Sequence, residues 1–139
     1  MVRASRFGVD FEAYDSGLTD LLVGIIQIET LESLEQIDQI AQQDGVDVLF
    51  VGPADLSRVM GISGQFNHPR FLDALDRVAN AAAKAGKACG TLLLDINYYD
   101  NFYSRGFRFI ACGSDSLFVL SSAKTMVANL KSRIQTSNP

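Results

Sequence analysis

Four times along this chain a short, predominantly apolar run gives way to a stretch whose apolar residues recur at helical spacing. The runs are residues 21–28, 46–51, 88–94 and 107–111. After the first, Leu31, Leu34, Ile37, Ile40 and Ala41 share one helical face, and Asp44-Gly45 supplies a left-handed stop. The second run is broken at once by Gly52-Pro53. A short helical turn and the loop 61–67 then lead into a long helix carrying Phe71, Leu75, Val78, Ala79 and Ala82, which ends at Gly86. A shorter helix follows the third run, with Tyr99, Phe102 and Tyr103 expected inward and Gly106 at its end. Beyond the fourth, Ala123, Met126, Val127, Leu130 and Ile134 mark a final helix, and 135–139 read as a frayed tail.

Strand and helix in this alternation spell a parallel sheet with crossover helices. The runs lack polar alternation, so both faces of the sheet are expected to be covered. An open doubly wound sheet and a (β/α) barrel both satisfy the pattern. No G-x-G-x-x-G follows the first run, which removes support from the dinucleotide-binding form of the open sheet. A complete eight-stranded barrel takes about 250 residues. Four βα units in 139 residues make half of one, and nothing before residue 21 reads as a strand. The chain is expected to be a single α/β domain over 1–139: a small open sheet, or the later half of a barrel.

Composition narrows the partners. A 47% apolar chain of 139 residues can bury a core. A net charge of −4, with the twelve basic residues scattered, argues against nucleic acid and against an anionic membrane surface. The apolar stretch 21–26 is far too short to span a bilayer, and residues 1–8 contain no signal-peptide core. Cys89 and Cys112 lack metal-ligand spacing and read as reduced, buried cysteines of a cytoplasmic protein.

Ligands of parallel α/β folds bind at the carboxyl ends of the strands. Those ends are polar here. Gln27-Ile28-Glu29 closes the first run and Gly52-Pro53-Ala54-Asp55 the second; Thr91 and Asp95 lie near the third end, Gly113-Ser114-Asp115 near the fourth. Glu29 and Asp55 follow successive strands and would converge on one point. Two neighbouring carboxylates repel unless a proton or a cation lies between them. A hard ion such as Mg²⁺ takes one or two carboxylates and leaves its other positions to water and substrate oxygens. The Gly52 turn adds the N–H groups of Ala54 and Asp55, suited to a substrate carboxylate, while Pro53 has none to give. Simpler alternatives stand beside this: Glu29 as a first-turn acid of the next helix, Asp55 as a cap, Gly-Pro as a tight corner. His68, the only histidine, precedes Pro69 and reads as a helix-entry residue. Tyr98, Tyr99 and Tyr103 read as packing residues, and Ser114 has no histidine in its pattern for a Ser-His-Asp triad.

Taken together, IIQIET, GVDVLFVGPADLS, NHPRF, AGKACGTLL and GFRFIACGSD resemble the HpcH/HpaI aldolase family, over about Arg3 to Leu130. These are class II, metal-dependent pyruvate aldolases with a (β/α)8 barrel, and the nearest resemblance is to the 2-keto-3-deoxy sugar-acid and 4-hydroxy-2-oxo-acid branch. The resemblance implies cleavage of such acids to pyruvate and an aldehyde through a metal-stabilised enolate. It implies Glu29 and Asp55 as ligands of Mg²⁺, Mn²⁺ or Co²⁺, Gln27 as a contact to substrate or metal-bound water, and the amides of Ala54 and Asp55 as the pyruvate carboxylate site. The family's catalytic histidine–aspartate pair and oxyanion arginine belong to the barrel's first half. Arg3 and Arg6 do not replace that arginine, so no catalytic acid–base residue is expected in this half.

The related citrate lyase β and malyl-CoA lyase branch shares the two ligands but acts on CoA thioesters; G-P-A-D-L-S favours free acids. A non-catalytic half-barrel acting through association is the rival of a different class. The family resemblance also implies a homo-oligomer, with contacts expected at the edge runs 21–28 and 107–111 and along the final helix, 121–133.

Overall fold

A computed structural model describes residues 3–17, 22–93 and 95–136. Its centre is a four-stranded parallel sheet in the order β1-β2-β3-β4, formed by Ile25–Ile28, Val48–Val51, Ala88–Leu93 and Phe109–Cys112. Register aligns Ile28, Val51, Thr91 and Ile110 in one row across all four strands. A 3₁₀ turn, Arg3–Gly8, and helix α1, Phe11–Ser16, precede the sheet. The connecting helices are α2 (Leu31–Glu35), α3 (Ile37–Ala41), α4 (Pro53–Val59), α5 (Pro69–Lys84) and α6 (Tyr99–Tyr103). Helix α7, Asp115–Thr136, follows β4.

A strand order that repeats the chain order separates the two candidate architectures. Each crossover advances in the same direction, and right-handed crossovers then place every connecting helix on one side of the sheet. That is the winding of a barrel; a doubly wound sheet reverses direction at a switch point. The fold is four consecutive βα units, half the circuit of an eight-stranded barrel.

The core lies between the sheet and its helices. Ile28, Leu49 and Val51 face Leu56 and the α5 residues Phe71, Leu75 and Val78, all with 0% exposure. The α5 stripe at i, i+4, i+7 and i+11 is the one its sequence predicts, with Ala82 completing it. Pro69 at the first turn and His68 at the cap start this helix; His68 Nδ1 accepts the Arg70 N–H at 3.2 Å.

One-sided winding overturns the expectation that both faces are covered. On the face away from the helices, Ile25 and Phe109 are 44% and 42% exposed. Phe50 and Phe109 meet edge to face, with centroids 6.1 Å apart, across the row that contains Gly90.

Other differences have local causes. β1 begins only at Ile25, because Gly24 is drawn into the turn below it, where its N–H donates to Asp47 Oδ2 at 2.7 Å. Residues 21 and 94, expected limits of the first and third runs, lie outside the described residues. The expected helix after β1 is two short ones, broken at Gln36 with φ −92° and ψ 12°. Tyr103 faces outward, stacked on Tyr99 and carrying the Arg108 guanidinium 4.0 Å from its ring centroid. Cys112 ends the edge strand and is exposed rather than buried; Cys89 is buried, and burial pushes its thiol pKa up against a smaller opposing pull from Arg108. α7 continues through Thr136, and 137–139 lie outside the described residues. No described helix is long and apolar enough to cross a membrane.

Candidate functional site

At the carboxyl end of β1 the chain passes Gln27 and Glu29 and caps the next helix with Thr30. Thr30 Oγ1 accepts the Ser33 N–H at 3.0 Å, and Ser33 Oγ accepts the Thr30 N–H at 3.2 Å. Glu29 therefore precedes the cap and is not a first-turn acid. Its Oε2 instead accepts a 2.6 Å hydrogen bond from Gln27 Nε2. Among the described residues no Lys, Arg or His pairs with Glu29.

The end of β2 is built to leave room for this pair. Gly52 N–H donates to Ile28 O at 3.2 Å, which holds the two strand ends side by side. A Cβ added at Gly52 would stand 3.0 Å from Gln27 Nε2 and 3.2 Å from Glu29 Oε2. A side chain there would press on both groups. Pro53 then opens α4, and Leu56 N–H closes the first helical bond onto Gly52 O at 2.9 Å.

Asp55 sits in the first turn of α4, half-buried, and its Oδ1 accepts from Arg58 at 2.5 Å. The structure thus joins Gln27, Glu29 and Gly52 in one contact group and sets Asp55 on the adjoining turn with Arg58 as its partner. Ala54 is exposed beside it. Carboxylate and carboxamide groups at one sheet end are a hard-oxygen donor set, the kind that suits Mg²⁺ or Mn²⁺. Among the described residues Glu29 has no cation partner, which fits such an ion.

The remaining polar strand-end residues are occupied locally. Thr91 is fully buried on the helix side and donates to Val51 O at 3.1 Å. Asp95 caps the 3₁₀ turn Ile96–Tyr98 through Asn97 N–H at 2.9 Å, and Ser114 Oγ accepts the Leu117 N–H at 3.3 Å at the start of α7. Two residues that sequence reasoning did not single out belong to the site's surroundings. Arg58 was signalled by its i, i+3 spacing from Asp55. Ser57, buried beneath the same turn, carried no such signal.

Residues 15–122 match the family profile described as HpcH/HpaI aldolase/citrate lyase. A hydroxypyruvate/pyruvate aldolase of Paraburkholderia phytofirmans is 34% identical over 94% of this chain and 50% of its own length. A 4-hydroxy-2-oxo-heptane-1,7-dioate aldolase of Shigella sonnei is 31% identical over 100% of the chain and 53% of its own. The crystal structure of an HpcH/HpaI aldolase/citrate lyase family protein from Burkholderia cenocepacia superposes with a TM-score of 0.82 at 31% identity, covering 94% of this chain and 51% of that one. The chain spans about half the length of the curated relatives it matches. With that match over most of its length and the barrel winding beneath it, the chain belongs to the HpcH/HpaI aldolase/citrate lyase family.

Proposed function

We propose that Glu29 and Asp55 hold a divalent cation (Mg²⁺, Mn²⁺ or Co²⁺) at the carboxyl end of the sheet, and that the site serves class II aldol cleavage. The substrates are 4-hydroxy-2-oxo acids or 2-keto-3-deoxy sugar acids, cleaved to pyruvate and an aldehyde. One observation carries the reading: Glu29 precedes the cap of the next helix and is held by Gln27 in the space that Gly52 leaves open.

The chain's own groups divide the work. The Gln27 carboxamide fixes one oxygen of Glu29 by a hydrogen bond that brings no opposing charge, leaving the other oxygen to face a cation. The first-turn amides of Ala54 and Asp55 precede the first closed bond of α4 and receive the substrate carboxylate. A divalent ion bound there supplies Lewis-acid stabilisation of the charge that develops on the keto oxygen. A cytoplasmic location fits the two unpaired cysteines. Association with further copies fits the exposed apolar residues of α7 and the open edges of β1 and β4.

Isothermal titration with Mn²⁺ tests the site directly. Binding is expected in the wild type and is expected to be lost in Glu29→Gln and in Asp55→Asn. Equal affinity in all three proteins overturns the reading. Turnover is the weaker readout, because the histidine–aspartate pair and arginine implied by the resemblance match no position of this chain. General acid–base groups typically contribute about 10²–10⁴-fold.

A further inference from the structure

Ser57 and Thr91 are the buried polar residues among those described, and Ser57 has 0% exposure. Its hydroxyl is engaged at both ends: it donates to Ala54 O at 3.0 Å and accepts the Gly64 N–H at 3.1 Å. The Ser57 carbonyl also accepts the Ile62 N–H at 3.0 Å. These bonds tie the first turn of α4 to the loop that follows it. Gly64 holds φ +74°, a left-handed conformation that glycine adopts without strain, so the loop residue making this contact is specialised for its place.

A buried hydroxyl gains little over a methyl unless its bonds matter, since burial costs it contact with water. Here the acceptor is significant. The Ala54 carbonyl belongs to the peptide that leads into Asp55. The Ser57 hydroxyl adds a second hold on that oxygen to the bonding of α4 itself, steadying the peptide plane and with it the direction in which Asp55 leaves the backbone. Asp55 itself is half-exposed, and among the described residues Arg58 is its one side-chain partner, so its aim depends on the backbone beneath it.

We infer that Ser57 is a positioning residue for Asp55, locking the Ala54–Asp55 peptide against the Gly64 loop so that the carboxylate is presented beside Glu29. This rests on the reading of Glu29 and Asp55 as cation ligands. Ser57→Ala removes the donor to Ala54 O and leaves the Gly64 N–H without its acceptor. Gly64→Ala disturbs the same link from the loop side, by strain at φ +74° with open space around the added methyl.

The experiment is Mn²⁺ titration of the full chain in wild type, Ser57→Ala, Gly64→Ala and Ile37→Val. Ile37 is a core residue of α3, and its truncation lowers stability without touching the strand ends. Ser57→Ala is expected to bind Mn²⁺ about three- to tenfold more weakly, the scale of one net hydrogen bond. Gly64→Ala is expected to shift in the same direction, and Ile37→Val to keep wild-type affinity at a lower urea midpoint. Wild-type affinity in Ser57→Ala overturns the inference; should that variant fail to fold, wild-type affinity in Gly64→Ala does so. An equal loss in Ile37→Val also overturns it, by showing that general destabilisation is enough. Failure of the underlying site looks different: the wild type itself binds no Mn²⁺, or Glu29→Gln and Asp55→Asn bind as it does, and the inference falls with the site.

Discussion

Asp55 and Glu29 carry the same charge in different company. Glu29 is held by an amide and Asp55 by a guanidinium, so in the proposed site a cation would meet one open carboxylate and one already paired. The Asp55–Arg58 pair is exposed at 43% and 70% of its side chains, and such pairs are worth only about 0.2–1 kcal/mol. Arg58 is therefore a modest competitor, not a block. Arg58→Ala is expected to tighten Mn²⁺ binding about two- to fivefold, with the difference shrinking as salt is added, which titration at two ionic strengths would read. Unchanged or weaker binding would mean that Arg58 helps shape the site. The sequence made Glu29, Gln27 and Asp55 legible because polar residues ending apolar runs stand out. That Glu29 is not a first-turn acid needed the Thr30–Ser33 cap to be seen. Ser57 stayed hidden, because a serine in a short helix gives no sign of whether water or a loop amide receives its hydroxyl.

All four expected strands and the long α5 are present as elements, since apolar runs and a helical stripe are properties of the chain itself. Their ends are set by things the runs do not encode. Asp47 captures Gly24 below β1, and Gly106 and the Arg108 bonds to Tyr103 O and Phe107 O delay β4 to Phe109. Gly90 shows how an element depends on its neighbour. In the middle of β3 a glycine costs strand stability, yet here it lies in register with Phe50 on one side and Phe109 on the other. A Cβ at this position would come within 2.5 Å of Phe109 O and 2.9 Å of Phe109 Cβ. Backbone cannot give way as a side-chain tip would. Gly90→Ala is expected to lower stability by about 1–3 kcal/mol, the usual cost of overpacking, read as a lower urea midpoint with an unchanged slope. A neutral or stabilised variant would show that β4 shifts freely against β3.

At the scale of the molecule, apolar surface exceeds what the described residues cover. The helix-side core is closed, but the opposite face shows Ile25 and Phe109, and among the described residues no strand pairs with the outer edges of β1 and β4. Every described side chain of α7 is exposed, including Leu117, Phe118, Met126, Val127, Leu130 and Ile134. A 22-residue helix with apolar side chains that no described residue covers leads to the expectation of association. The sequence announced the helix but not this, because the i, i+3, i+4 pattern of 123–134 reads the same whether the partner is the chain's own sheet or another molecule. Sedimentation equilibrium at micromolar concentration is expected to show a dimer or larger species of the 15.1 kDa chain. Met126→Glu with Leu130→Glu puts two carboxylates one turn apart on that surface, and is expected to shift the distribution toward monomer while leaving the urea midpoint of the sheet core nearly unchanged. A wild-type monomer with a single cooperative melt would place α7 against its own sheet in solution, and would remove self-association as the cover for these faces.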